Sequence, residues 1–349
     1  MMLSFGGYIL WIPRVGSWIS VNLWHELILG LSLLLFAMVF GPRRWFVWRY
    51  ILLGFGLLAA AMQLLGLLLF SNELAPLAVY GPGAFYGARP LHANSALFMV
   101  VALALVLSDR RMDGRWQMLL GMVLGLSAVY SQWRSVWAAL AVVLLVWVWR
   151  SCADPALRRS LPVSLAVGVS WAVVLLSPVL TGRSLLPGGG VEAVGSVELP
   201  DTATSTGTLG WRFEMWRSRL EAPRSVANYF FGGVFTDSNV VFPGKGIMRG
   251  SLSGHNLFVD LYTYLGLVGL GLLVVLVWAA FRVGGPASWE HRTLLLAVLV
   301  YGMFFLWAPW MWVLLGVPAG LARGTVSPPW DEAPIPRPEA SEGNCSAQC

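Results

Sequence analysis

The chain is poor in charge. Of its 349 residues only 11% are Asp, Glu, Lys or Arg, under half the roughly 25% of a soluble globular domain. Such a chain cannot coat a water-facing surface, which excludes a soluble cytosolic enzyme and a disordered protein. Lysine is nearly missing: Lys245 stands alone and every other basic residue is Arg. Cysteine is scarce too. Cys152, Cys345 and Cys349 have no metal-ligand spacing and exclude a disulfide-stapled secreted domain. There is no acidic cluster that demands a metal, so neither metal nor cofactor is expected. There is no basic helix interleaved with aromatics, so no nucleic-acid partner is expected either. No internal repeat is present. No cleavable signal stands at the N-terminus, and the spans themselves are expected to drive insertion.

What the chain has is apolar length. It is 57% hydrophobic and 13% aromatic, with 19 Trp. This composition predicts an all-α polytopic membrane protein whose partner is the lipid bilayer. The apolar runs are Leu23 to Phe40, Tyr50 to Phe70, Ala93 to Leu107, Trp116 to Tyr130, Val136 to Trp149, Leu161 to Leu180, Leu257 to Phe281 and Thr293 to Trp307. A ninth, Trp310 to Ala322, is short, preceded by Pro309 and interrupted by Pro318. At about 20 residues per crossing they make eight or nine transmembrane helices. Short loops rich in Arg alternate along the chain: Arg43, Arg44 and Arg49; Arg110, Arg111 and Arg115; Arg150, Arg158 and Arg159; Arg282 and Arg292. The positive-inside bias assigns these to the cytoplasm. Segment 71–92, the connection Ser131 to Arg134 and the long loop 181–254 then face outward.

Five regions follow. Residues 1–22 read as a partial or re-entrant segment, with Pro13 and Arg14 in an apolar stretch. Residues 23–180 are a transmembrane bundle and 181–254 a large outer loop. Residues 255–322 are the C-terminal spans, and 323–349 a Pro-rich, disordered tail.

The outer loop departs from the rest. From Gly210 to Ala222 a helical pattern places Phe213, Trp216 and Leu220 on one face, and Arg212 and Arg219 on another. An aromatic and arginine helix between two spans suits the membrane surface. Residues 208–255 carry Arg212, Arg217, Arg219, Arg224, Lys245 and Arg249 against only Glu214, Glu221 and Asp237. A net-positive outer loop runs against the positive-inside bias. Two readings account for it: a bound anion held by bidentate Arg, or a solvated helix with Glu214–Arg217 and Arg217–Glu221 pairs.

The loop closes on Ser253-Gly-His255-Asn256, where the next span begins. A histidine at a helix start is kept neutral by the unpaired N–H groups and can accept a proton. The plainer reading makes Ser253 or Asn256 the helix cap and His255 a bystander. Asp260, inside the span, is costly in lipid and marks a functional or paired group. Asn256 and Tyr264, a turn either side of it, are candidate partners.

At these residues the chain resembles the bacterial O-antigen ligase and polymerase family. His255-Asn256-Leu-Phe-Val-Asp-Leu-Tyr-Thr-Tyr-Leu-Gly266-Leu-Val-Gly269 resembles its His-Asn signature with a following Leu-Gly-x-x-Gly. Gly210-Trp-Arg212-Phe-Glu-Met-Trp216 resembles the Arg-x-x-x-Trp helix of the family's large periplasmic loop, and Phe231-Gly-Gly-Val the glycine-rich turn after it. Ser131-Gln-Trp-Arg134 resembles a Ser-x-x-Arg span start, and Pro90-Leu-His-Ala-Asn94 an Asn-containing one. The acid that often precedes the family's Leu-Gly is replaced here by Tyr264, with Asp260 one turn earlier.

The resemblance implies glycan transfer at the periplasmic face of the bacterial inner membrane. The donor would be an undecaprenyl-pyrophosphate-linked glycan, and the acceptor a hydroxyl on lipid A core or on another glycan. His255 would deprotonate that hydroxyl, and direct displacement would invert the anomeric centre without metal. Arg134, Arg212 and Arg219 would hold the pyrophosphate, with Asn256 and Asp260 in support. Ligase and repeat-unit polymerase share this fold. From a different class, a lipid-linked glycan transporter or an inactive assembly scaffold stays open.

Overall fold

In a computed structural model the described residues are 18–41, 44–70, 91–131, 133–181, 213, 216–217, 219–221, 224–232, 239–242, 246–249, 256–282, 288–305 and 307–321. They are helical in every apolar run anticipated above. The helices are α1 (Trp18–Phe40), α2 (Trp45–Phe70), α3 (Ala93–Ser108), α4 (Gly114–Tyr130) and α5 (Arg134–Ala153). A 3-10 turn (Pro155–Ser160) leads into α6 (Leu161–Thr181). The short α7 (Val226–Phe231) lies within the loop 181–254, and after that loop come α8 (Leu257–Phe281), α9 (Ser288–Gly302) and α10 (Met311–Leu321). A small hairpin adds to this plan: β1 (Asn239–Phe242) pairs antiparallel with β2 (Gly246–Arg249), Asn239 opposite Arg249.

Among the described residues three helices are long and apolar enough to cross a membrane: α2 over Trp45–Gly66, α5 and α8. Their outward faces carry large exposed apolar side chains, among them Leu58, Leu68, Leu145, Leu272 and Val274. A soluble protein does not expose so continuous an apolar surface. This is a helical membrane protein whose exposed surface, like its core, is largely apolar.

The interior centres on α3, which is buried along its length between α2, α4, α5 and α9. Small residues let helices close in: Gly56 of α2 meets Ala102 and the Phe98 carbonyl of α3, and Gly121 and Gly125 of α4 meet Val163 and Val167 of α6. Two buried amides inside the bundle donate to backbone carbonyls. Gln63 donates to the Tyr130 carbonyl at 3.1 Å, and Gln117 to the Val106 and Leu107 carbonyls at 2.9 and 3.2 Å.

Besides shifts of a few residues at other helix ends, two features near the C-terminus differ from the sequence expectation. The run to Trp307 stops being helix at Gly302, because the chain turns there. The Trp307 indole folds back to the Val298 carbonyl at 2.7 Å, and the Met303 carbonyl accepts from Asn256 at 3.1 Å. Pro318 was expected to interrupt its run, yet α10 continues through it to Leu321. Packing holds it: every residue from Met311 to Gly320 is buried. Gly316 and Gly320 lie against the Leu34 and Met38 carbonyls of α1, and Gly30 of α1 lies under Trp312. Gly316-Val-Pro-Ala-Gly320 is thus a small-xxx-small contact that brings two helix backbones together.

The two ends of the bundle differ chemically. One gathers Arg49, Asp109, Glu290 and His291. The Glu290 carboxylate accepts from the Trp45 indole at 3.0 Å and from the Ser108 hydroxyl, with Arg49 at 3.5 Å from it and 3.4 Å from Asp109. Arg110 and Arg150 reach Asp154 at 3.1 and 3.7 Å, and Arg150 lies 4.7 Å over the Trp289 ring. The segments after α3 and α5 and the starts of α2 and α9 meet here. The opposite end carries the candidate site.

Candidate functional site

The opposite end is formed where α3, α5 and α8 begin, α9 ends, and the loop between α6 and α8 returns. The starts of α3 and α8 each have a side-chain cap. Asn256 precedes α8, and its side-chain oxygen accepts from the N–H groups of Phe258 at 2.9 Å and Val259 at 3.2 Å. Its amide donates to Met303, so one side chain caps α8 and ties it to the α9–α10 turn. This fits the plainer reading of Asn256 as a cap. His92 caps α3: its Nδ1 accepts from the Asn94 N–H at 3.3 Å. A ring that accepts at Nδ1 carries its proton on Nε2 and is neutral. Partial burial also holds the His92 pKa below its ordinary value.

An aromatic shelf joins these starts. The His92 ring lies 5.8 Å from Trp133 and 6.2 Å from Phe305, and Phe305 stacks on Tyr301 at 5.4 Å. Tyr301 donates to the Asn94 side chain, and the Trp133 indole donates to the Leu91 carbonyl at 2.7 Å. Arg134 follows Trp133 as the first residue of α5, and it is exposed. The sequence reading singled out Asn94 and Arg134 but not the shelf between them. Trp133 and Phe305 are far apart in the chain, and no spacing announces that pairing.

The loop between α6 and α8 docks on the first turns of α8. Arg219 Nη1 donates to the Asp260 carboxylate at 2.7 Å, with side-chain exposures of 5% and 0%. Asp260 is therefore a paired group, its ion partner coming from the loop and not from its own helix. Arg219, expected to hold a pyrophosphate, is engaged with that carboxylate. Arg224 donates to the Arg219 carbonyl at 2.5 Å, and its guanidinium lies 4.4 Å over the Tyr262 ring. Arg217 pairs with Glu221 at 2.8 Å on the exposed side, as the solvated-helix reading anticipated. Phe213 and Trp216 form an edge-to-face pair at 5.2 Å, in keeping with the shared face read from their spacing.

A few residues on, two glycines interlock. Gly232 ends α7 at φ 68°, and Gly266 breaks α8 at φ 63°. A side chain on Gly232 would overlap the Tyr264 carbonyl, and one on Gly266 would overlap the Phe230 carbonyl. Both the left-handed backbone and the close approach require glycine. The glycine-rich turn and the Leu-Gly-x-x-Gly stretch, singled out separately in the sequence, are in contact here.

His255 and Arg212 lie outside the described residues. Asn256, the next residue after His255, is fixed at the mouth of α8 within the group just described. Among the described residues no His, Cys, Asp and Glu group could hold a metal ion. No protein family, curated protein or solved structure matches the chain.

Proposed function

We propose that the chain is a multi-pass glycosyltransferase of the bacterial inner membrane. It moves a glycan from undecaprenyl pyrophosphate to an acceptor hydroxyl on the periplasmic side, as an O-antigen ligase does. One observation carries this reading: the interlock of Gly232 with Gly266, beside the Arg219–Asp260 pair. It joins the segments whose sequences resemble that family and seats the arginine-bearing loop on the span that starts at His255-Asn256. In this mechanism His255 takes the proton of the acceptor hydroxyl. The acceptor oxygen attacks the anomeric carbon, and the bond to the pyrophosphate oxygen breaks with inversion. Arg134 and Arg212 balance the charge that develops on the departing pyrophosphate. Arg219 contributes by holding the loop through Asp260. The cytoplasmic face is the end that gathers Arg49, Arg110 and Arg150, in line with the positive-inside bias.

The test is the length distribution of undecaprenyl-linked glycan in cells carrying His255→Ala. Long lipid-linked polymer that accumulates without transfer supports a ligase. A build-up of single repeat units supports a polymerase of the same fold. Glycans matching wild type in length and attachment overturn the assignment of His255 as base. The break in α8 beside a buried ion pair favours a second reading, a lipid-linked glycan transporter, since transporters build sites at discontinuous helices. Intact transfer in the His255 variant, with loss of lipid-linked glycan movement in a Gly266 variant, would select it.

A further inference from the structure

The return of the outer loop sits deeper than a surface loop should. Arg282, at the far end of α8, lies 4.0 Å over the Trp278 ring, a pair suited to one membrane interface. Gly266 is sixteen residues from Arg282, about 24 Å of helix at 1.5 Å per residue. The hydrocarbon core is about 30 Å thick. The Gly232–Gly266 contact therefore falls about 6 Å inside the opposite interface. Lipid-facing apolar residues of α8 start just there, at Leu267 and Val268, and continue through Leu272.

The segment docked at that level is apolar and uncovered. Val226 is 76% and Phe231 70% exposed, and Tyr229 and Phe230 also face outward. Irregular backbone at membrane depth is tolerated only where protein covers it. The α8 break is covered in this way, by the backbone of Phe230 and Gly232. We infer that Ser225–Gly232 is a wedge inserted into the outer leaflet, with Val226, Tyr229 and Phe231 in contact with lipid acyl chains. The occupant is bilayer lipid because the segment docks at Gly266, immediately before the exposed apolar Leu267 and Val268 of α8. This insertion does not depend on what reaction the chain performs.

The test uses the full chain with Cys152, Cys345 and Cys349 changed to Ser, reconstituted in phosphatidylethanolamine and phosphatidylglycerol vesicles. Spin labels are attached in separate variants, Val226→Cys and Phe231→Cys. Leu272→Cys serves as the lipid-facing reference and Arg217→Cys as the water-facing one. Tyr229→Cys replaces either wedge site if a labelled variant does not survive purification. Collision with dissolved oxygen and with a water-soluble nickel chelate is then measured. Insertion gives labels at 226 and 231 that collide with oxygen as at 272 and are shielded from nickel, at a depth of roughly 5–10 Å. Nickel collision equal to that at 217 overturns the proposal. Shielding from both agents also overturns it, because the patch would then be covered by protein, such as a second copy of the chain.

Discussion

The Arg219–Asp260 pair makes a quantitative prediction. Both groups are out of water, with 5% and 0% side-chain exposure, and they meet at 2.7 Å. Removing one partner from such a pair leaves the other buried and uncompensated, which costs about 3–5 kcal/mol. Replacing both with apolar groups of similar volume removes the desolvation penalty together with the attraction, and is often neutral. Asp260→Ala and Arg219→Met should each lose about 3–5 kcal/mol. Arg219→Met with Asp260→Leu should return to within about 1 kcal/mol of wild type. The assay is equilibrium unfolding of the purified protein in mixed dodecylmaltoside and dodecyl sulfate micelles, followed by circular dichroism. Single-variant losses under about 1 kcal/mol, or a double variant equal to the sum of the singles, would refute the buried pair. The double variant also separates two roles for Arg219. A holding role predicts that glycan transfer survives when stability is restored. A pyrophosphate ligand predicts that transfer is lost even though stability returns.

Other outcomes follow from the same geometry. Gly266→Ala and Gly232→Ala should each lose roughly 2–3 kcal/mol in that assay from backbone strain and overlap. Gly271→Ala, in open space on the same helix, should be neutral or slightly stabilising. Gly316→Val should cost roughly 1–3 kcal/mol by forcing α10 off α1, read by the same unfolding curve. The pKa of His92 is lowered in the folded protein from its ordinary 6.5, so protonation favours the unfolded chain. Its contribution is intact above about pH 6.5 and falls as pH drops below that value toward the lowered pKa. His92→Asn keeps a cap acceptor and removes the titration. The melting-temperature loss between pH 7.5 and pH 5 should therefore be smaller in this variant than in wild type.

Much of the fold was legible because apolar length is a local property. Each apolar run became a helix, and the facing of Phe213 with Trp216 and the pair Arg217–Glu221 follow from helical spacing within one segment. The cap at Asn256 was legible for the same reason. What escaped was long-range. Asp260 meets Arg219 across 41 positions, and no periodicity connects a loop arginine to a span carboxylate. Pro318 reads locally as a breaker, and only its burial against α1 explains why the helix persists. Leu265-Gly266 reads as a motif, but its physical content, a left-handed residue received by a second one at Gly232, needs both segments in view. The aromatic shelf of His92, Trp133 and Phe305 escaped because its members come from three separate regions of the chain.

The contact of α10 with α1 has a consequence for biogenesis. Gly30, Leu34 and Ala37 are matched to residues of Met311–Leu321, so the first and last described helices are mutual neighbours. During synthesis α1 leaves the ribosome roughly 280 residues before its partner. At about 5–20 residues per second, its narrow, small-residue groove waits on the order of a quarter of a minute or more without its proper neighbour. Among the described helices the seam between α1 and α10 is therefore the last that can form. Until that moment the groove on α1 is open to lipid, to a chaperone or to the wrong helix.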